Sequence, residues 1–251
     1  MTNFRSGSRI AGGTEASRNQ FPFATIFFIY APNDDQSICS GSILSAHYVL
    51  SAAHCFTNLA SADLLAGVHN VETEFPIYEL TIFNSDIIIH ESYDRVRYTN
   101  DIAVISTRRS PFSFTRIEIQ PINIIPRSYA NSNLTGYMAR ISGWGLTSDT
   151  SSISPVPRYI DAPIISNDEC ARTFGTLITS GNICLSGSNG RSTCPGDSGG
   201  GMTIAHGSTR VLAGIVSFGS DRGCTLGYPT AKTRITAFYD WITSKTGIVI
   251  S

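Results

Sequence analysis

The sequence has no long apolar run, no block of like charge and no Cys-x-x-Cys pair. Its longest largely apolar stretch, Ala24 to Ala31, falls far short of the ~20 residues that a membrane-spanning helix requires, so no contact with membrane is expected. The net charge is -1 over 251 residues, and Arg108-Arg109 is the only adjacent basic pair. That balance excludes the basic footprint of nucleic-acid or anionic-membrane binding. The 6 cysteines are even in number and dispersed, which argues against a zinc cluster and for structural disulfides formed in an oxidising, extracellular setting. Met1 to Arg9 is polar and lacks an apolar signal core, so any signal peptide lies outside this sequence. Internal repeats and low-complexity tracts are absent, and helical periodicity is scarce.

What is present is β-pattern. Runs of β-branched and aromatic residues separated by turn-formers predict strands at Ala24 to Tyr30, Tyr48 to Ser51, Tyr78 to Phe83, Asp86 to Ile89, Ile102 to Ser106 and Met138 to Ser142. Tyr159 to Ile164, Gly201 to Ala205, Val211 to Phe218 and Thr230 to Arg234 extend the set. Their short connections suit antiparallel sheets closed into barrels, and the length suits two compact halves of roughly 120 residues each. A short helix is expected from about Asn167 to Phe174, with Ser166 and Glu169 at capping-box spacing and Gly175 as its stop. A second, from about Thr236 to Lys245, carries Phe238, Trp241 and Ile242 on one face. Ser110 to Tyr129, broken by Pro111, Pro121 and Pro126, reads as the connection between halves. Asn133-Leu134-Thr135 is the single N-glycosylation sequon.

Chemistry concentrates in Cys194-Pro195-Gly196-Asp197-Ser198-Gly199-Gly200. Glycines let the backbone approach a substrate, and a serine becomes a useful nucleophile only beside a base held by a third group. Of the 5 histidines, His54 stands apart, with the small Ala52 and Ala53 before it and Cys55 after it to tether its loop. Asp101 precedes the apolar Ile102-Ala103-Val104, where a carboxylate needs a donor. Chain order decides among architectures. An α/β-hydrolase elbow needs an acid and then a histidine after the serine, yet only His206 follows Ser198, with no acid between them. A subtilisin-like order starting at Asp35 would need many helices. The order His54, Asp101, Ser198 survives.

These residues, with Gly143-Trp144-Gly145, resemble the chymotrypsin-like serine proteases from Ile10 to about Ile248, and Ser217-Phe218-Gly219-Ser220, Gly227-Tyr228-Pro229 and Asp240-Trp241-Ile242 resemble the arthropod digestive chymotrypsins and collagenolytic relatives. The resemblance implies an all-β fold of two packed six-stranded antiparallel Greek-key barrels with a C-terminal helix. Residues 1-9 would be an activation segment, 10-120 the barrel carrying His54 and Asp101, and 121-251 the barrel carrying Ser198. It implies a triad of His54, Asp101 and Ser198, an oxyanion hole from the N–H groups of Gly196 and Ser198, and activation by a cut after Arg9 that frees the Ile10 amine to pair with Asp197. Substrate would be bound by Ser192, Thr193, Pro195, Ser217, Phe218, Gly219 and Thr230. Disulfides are implied between Cys39 and Cys55, Cys170 and Cys184, and Cys194 and Cys224.

Ser192 at the pocket floor is not an acid, so a basic substrate side chain would be buried unpaired. The pocket is expected to be apolar and narrowed by Thr230, favouring Leu, Phe, Tyr or Met before the cut, with elastase-like or collagenolytic preference as alternatives. The implied partners are polypeptide substrates, a trypsin-like activating protease and protein protease inhibitors, with no cofactor and no metal, in a secreted monomer of a digestive lumen. A silent homologue serving as a binding or regulatory module is the rival from another class. Ser40, where the family carries glycine, is a departure from its pattern.

Overall fold

The computed structural model describes residues 12–251. The activation segment and the Arg9–Ile10 junction lie outside the described residues. Two antiparallel sheets dominate. In the C-terminal one, Arg158–Ile165 pairs with Asn182–Leu185, followed by Thr230–Arg234, Thr209–Phe218, Gly201–His206 and Met138–Gly143. Met138–Gly143 pairs back to Arg158–Ile165, so these six strands close into a barrel. The N-terminal sheet runs Tyr78–Ile82, Ser61–Ala66, Ala24–Tyr30, Gln36–Ser45, Tyr48–Ser51, Ala103–Ser106 and Ile87–Ile89. Its two end strands do not pair with each other among the described residues, which makes it an open barrel of seven strands beside the closed one. Thr14–Glu15 also pairs with the start of Arg158–Ile165, tying the start of the described chain to the C-terminal half.

Side chains alternate in and out along each strand. Phe27, Ile43, Leu50, Leu64, Ile82 and Ile105 fill one barrel, while Ile141, Ile183, Met202, Ile204 and Leu212 fill the other, all with no exposed surface. Each such side chain contributes on the order of 1.5–3 kcal/mol by burial. The three disulfides link Cys39 to Cys55, Cys170 to Cys184 and Cys194 to Cys224. A loop of the size closed by Cys39–Cys55 is worth ~3 kcal/mol in the chain-entropy account.

The first helix spans Asn167–Phe174, as the capping signals require. Ser166 Oγ accepts from the Glu169 N–H at 3.1 Å, and Gly175 ends the helix at φ 58°. The second begins later than its apolar stripe suggests, at Tyr239–Thr246, because Phe238 sits at φ -122° and ψ 14°, outside helical geometry. Phe238 and Ile242 are still buried. Trp241 Nε1 donates to Glu91 Oε2 at 2.8 Å and Lys245 pairs with the same carboxylate, so the C-terminal helix fastens onto the N-terminal half. No helix among the described residues is long and apolar enough to cross a membrane.

Candidate active site

His54 lies in a single turn of 3₁₀ helix, Ala53–Phe56, which the Cys39–Cys55 bond pins to the strand Gln36–Ser45. Ala52 and Ala53 are fully buried, which leaves the ring room. Asp101 is also fully buried. Its Oδ1 accepts from the His54 backbone N–H at 2.9 Å, and its Oδ2 lies 2.8 Å from His54 Nδ1. Held on both backbone and ring, the imidazole keeps Nδ1 as donor and leaves Nε2 free to take a proton.

Ser217 completes the grip. Its hydroxyl donates to Asp101 Oδ2 at 2.5 Å, while Thr233 Oγ1 donates to the Asp101 carbonyl at 2.6 Å. Ser217, expected from the sequence to bind substrate, lines the cleft, and its hydroxyl is engaged by the buried acid. Ser217→Ala removes one charge-assisted hydrogen bond and is expected to lower kcat roughly ten-fold with little change in KM. Steady-state kinetics on a peptide substrate read that split, and an unchanged kcat would contradict it.

The loop of Ser198 is built around Asp197. This carboxylate has no exposed surface; Oδ1 accepts from Gly145 N–H at 3.0 Å and Oδ2 from Cys194 N–H at 2.9 Å. Gly145 must lack a side chain, since a Cβ there would lie 2.6 Å from the carboxylate. Gly196 adopts φ +96°, a region L side chains avoid. Burial pushes the Asp197 carboxyl up to about 6, against the two N–H donors and the more distant Lys232 ammonium. The N–H groups of Gly196 and Ser198 make no hydrogen bond to the protein among the described residues, and remain free to serve a ligand oxygen. From the other half, Ser40 N–H donates to the Ser198 carbonyl at 2.7 Å and Ser40 Oγ to the Gly196 carbonyl at 3.3 Å. The serine that departs from the family pattern thus splints the loop.

His54, Ser198, Ser192, Thr193, Pro195, Ser217, Phe218, Gly219 and Thr230 all line one cleft between the barrels. The floor corrects the expectation of an apolar pocket. Ser192, Thr193 and Thr230 present hydroxyls, and behind them lies Lys232, fully buried, with Nζ 3.0 Å from Thr193 Oγ1 and 2.7 Å from Thr230 Oγ1. Burial pulls its ammonium down to about 7, countered by Asp197. Lys232 escaped the sequence reading because an isolated lysine is normally solvated. The available signal was its place within Thr230–Arg234, flanked by the equally buried Ala231 and Thr233.

A serine, a histidine whose ring is held by a buried carboxylate and unused backbone donors around one cleft are the equipment of a serine hydrolase. The trypsin family pattern matches residues 10–242. Brachyurin of Leptuca pugilator is 40% identical over 95% of this chain and 99% of its own length. Chymotrypsin of Phaedon cochleariae is 34% identical over 93% of this chain and 80% of its own. The solved structure of HL collagenase superposes with a TM-score of 0.84 at 29% identity, covering 94% of this chain and 98% of that one. The chain belongs to the trypsin family of serine proteases and is a serine endopeptidase acting on polypeptides.

Proposed function

We propose that this chain is a secreted digestive endopeptidase, made as a zymogen and cut after Arg9, in which Ser198, His54 and Asp101 carry the chemistry. The observation that supports this most directly is the His54–Asp101 pair, 2.8 Å from Nδ1 to Oδ2 with Asp101 fully buried. His54 Nε2 takes the Ser198 proton as Oγ attacks the peptide carbonyl. The resulting oxyanion is met by the N–H groups of Gly196 and Ser198, each donor of this kind being worth ~10²–10³ in turnover. The imidazolium then protonates the leaving amine, and water repeats the sequence on the acyl-enzyme. Ser217-Phe218-Gly219, at the end of the strand Thr209–Phe218, would pair with an extended substrate as an added strand.

The three disulfides support an extracellular setting. A separate trypsin-like activator follows from a pocket unsuited to arginine, and protein protease inhibitors would occupy the same cleft. The side walls, with Val216, Phe218 and the Cys194–Cys224 disulfide, suit a long apolar stem. Leu, Phe, Tyr and Met fit those walls, as would elastase-like or collagenolytic substrates, but all leave the polar floor without a partner. A small fluorophosphonate is expected to label Ser198 stoichiometrically in protein cut after Arg9. Mass spectrometry finding Ser198 unmodified would favour a silent homologue.

A further inference from the structure

Lys232, fully buried behind the pocket floor, is a charge that the proposed chemistry leaves unused. In its ammonium form, which an approaching carboxylate favours, Lys232 has three donors and no lone pair, so the oxygens of Thr193 and Thr230 accept from it and each threonine hydroxyl keeps its own proton for another acceptor. Both threonines line the cleft that holds Ser198 and His54. The floor therefore offers hydroxyl donors backed by a buried cation.

Among the described residues Lys232 makes no ion pair, and its third N–H has no acceptor. Asp197 acts on it only from a distance, with its oxygens held by Gly145 and Cys194. Of the other carboxylates bordering the cleft, Asp149 is taken by Cys224 N–H and Thr225 Oγ1, and Asp221 is exposed. A buried charge without a partner is costly, and a ligand carboxylate would complete it.

We propose that Lys232, acting through Thr193 and Thr230, makes this pocket select a residue ending in a carboxylate before the scissile bond, glutamate above aspartate. The carboxylate accepts from the two threonine hydroxyls, and the glutamate methylenes run along Val216 and the Cys194–Cys224 disulfide. Aspartate, one carbon shorter, reaches the floor less well. Leucine or phenylalanine would strip water from those hydroxyls and return no acceptor, while arginine would meet a like charge. This rests on the endopeptidase reading and narrows its substrate class.

The test is a peptide series differing only in that residue, Glu, Asp, Gln, Leu or Phe, assayed on protein cut after Arg9. The Glu peptide is expected to exceed Gln and Leu in kcat/KM by roughly 10- to 100-fold, the range of one charge-assisted hydrogen bond. Lys232→Met should collapse the Glu-to-Gln ratio toward one. Thr193→Val should do the same, and it keeps the test readable if the first variant fails to fold. If Lys232 served only to steady the Asp197 loop, Lys232→Met would slow all five peptides together with the ratio intact, which overturns the proposal. A wild-type preference for Leu or Phe also overturns it, leaving the endopeptidase reading standing. Cleavage of none of the peptides, with Ser198 unreactive toward the fluorophosphonate, overturns both.

Discussion

Ser198→Ala, in protein cut after Arg9, is expected to lower peptide turnover by ~10⁵-fold or more, as loss of the nucleophile does in other triads. The Asp197 seat, the Ser40 splint and the His54–Asp101 pair do not use the Ser198 hydroxyl. The variant should therefore fold as the parent does and still bind peptides. Residual hydrolysis should come from the backbone donors and the bound geometry alone. Rates near those of the parent, measured on the same peptide with circular dichroism matched, would remove Ser198 from the mechanism.

The second large effect concerns the cut itself. Asp197 is buried, and among the described residues its hydrogen-bond donors are two backbone N–H groups. On the proposed activation, the Ile10 ammonium supplies the missing cation and fixes the Gly196–Ser198 donors. Cutting after Arg9 should then raise turnover by ~10³-fold or more, the order expected when oxyanion donors come into place. A stability signature accompanies this. In the uncut chain the folded pKa of Asp197 stands at about 6, above the ~3.9 of an unfolded aspartate. Between those values the folded state holds more protons than the unfolded one, so this group's contribution to stability falls as pH rises from about 4 to about 6. The loss amounts to up to about 3 kcal/mol. Cutting should abolish that decline, so melting curves of cut and uncut protein should diverge as pH rises through this window. Parallel curves, or an uncut chain as active as the cut one, would contradict the proposed pairing of Ile10 with Asp197.

Much of the site was legible because each chemical group sits in a short segment of unusual composition. A histidine among alanines and an acid ahead of an apolar strand are visible without coordinates, as is a serine among glycines. The strand Gln36–Ser45 was not. Its serines and Gly41 interrupt the β-branched pattern that marks the other strands, yet it runs between Ala24–Tyr30 and Tyr48–Ser51, where a Cβ on Gly41 would lie 2.7 Å from Val49 Cγ1. Small residues there reflect close approach, not turn chemistry. Ser61–Ala66 carries no such signal because Asp and Ala are depleted in strands and the segment has no β-branched or aromatic residue. Only its alternating burial between the strands Ala24–Tyr30 and Tyr78–Ile82 makes it one. Lys232 illustrates a third reason, since a lone buried cation reverses the usual meaning of its residue type and only the surrounding hydroxyls reveal it.

The bond between Cys39 and Cys55 has a wider reach than the stiffness of one loop. Cys55 adjoins His54, and Cys39 adjoins Ser40, whose N–H holds the Ser198 carbonyl from across the seam. A single covalent link thus lies one residue from His54, the proposed base, and one residue from Ser40, the support of the proposed nucleophile. Thiol chemistry at this point would disturb the mutual alignment of both reacting groups in one event. Reduction of this bond is therefore expected to lower activity through both groups at once, which peptide assays before and after reductant would read.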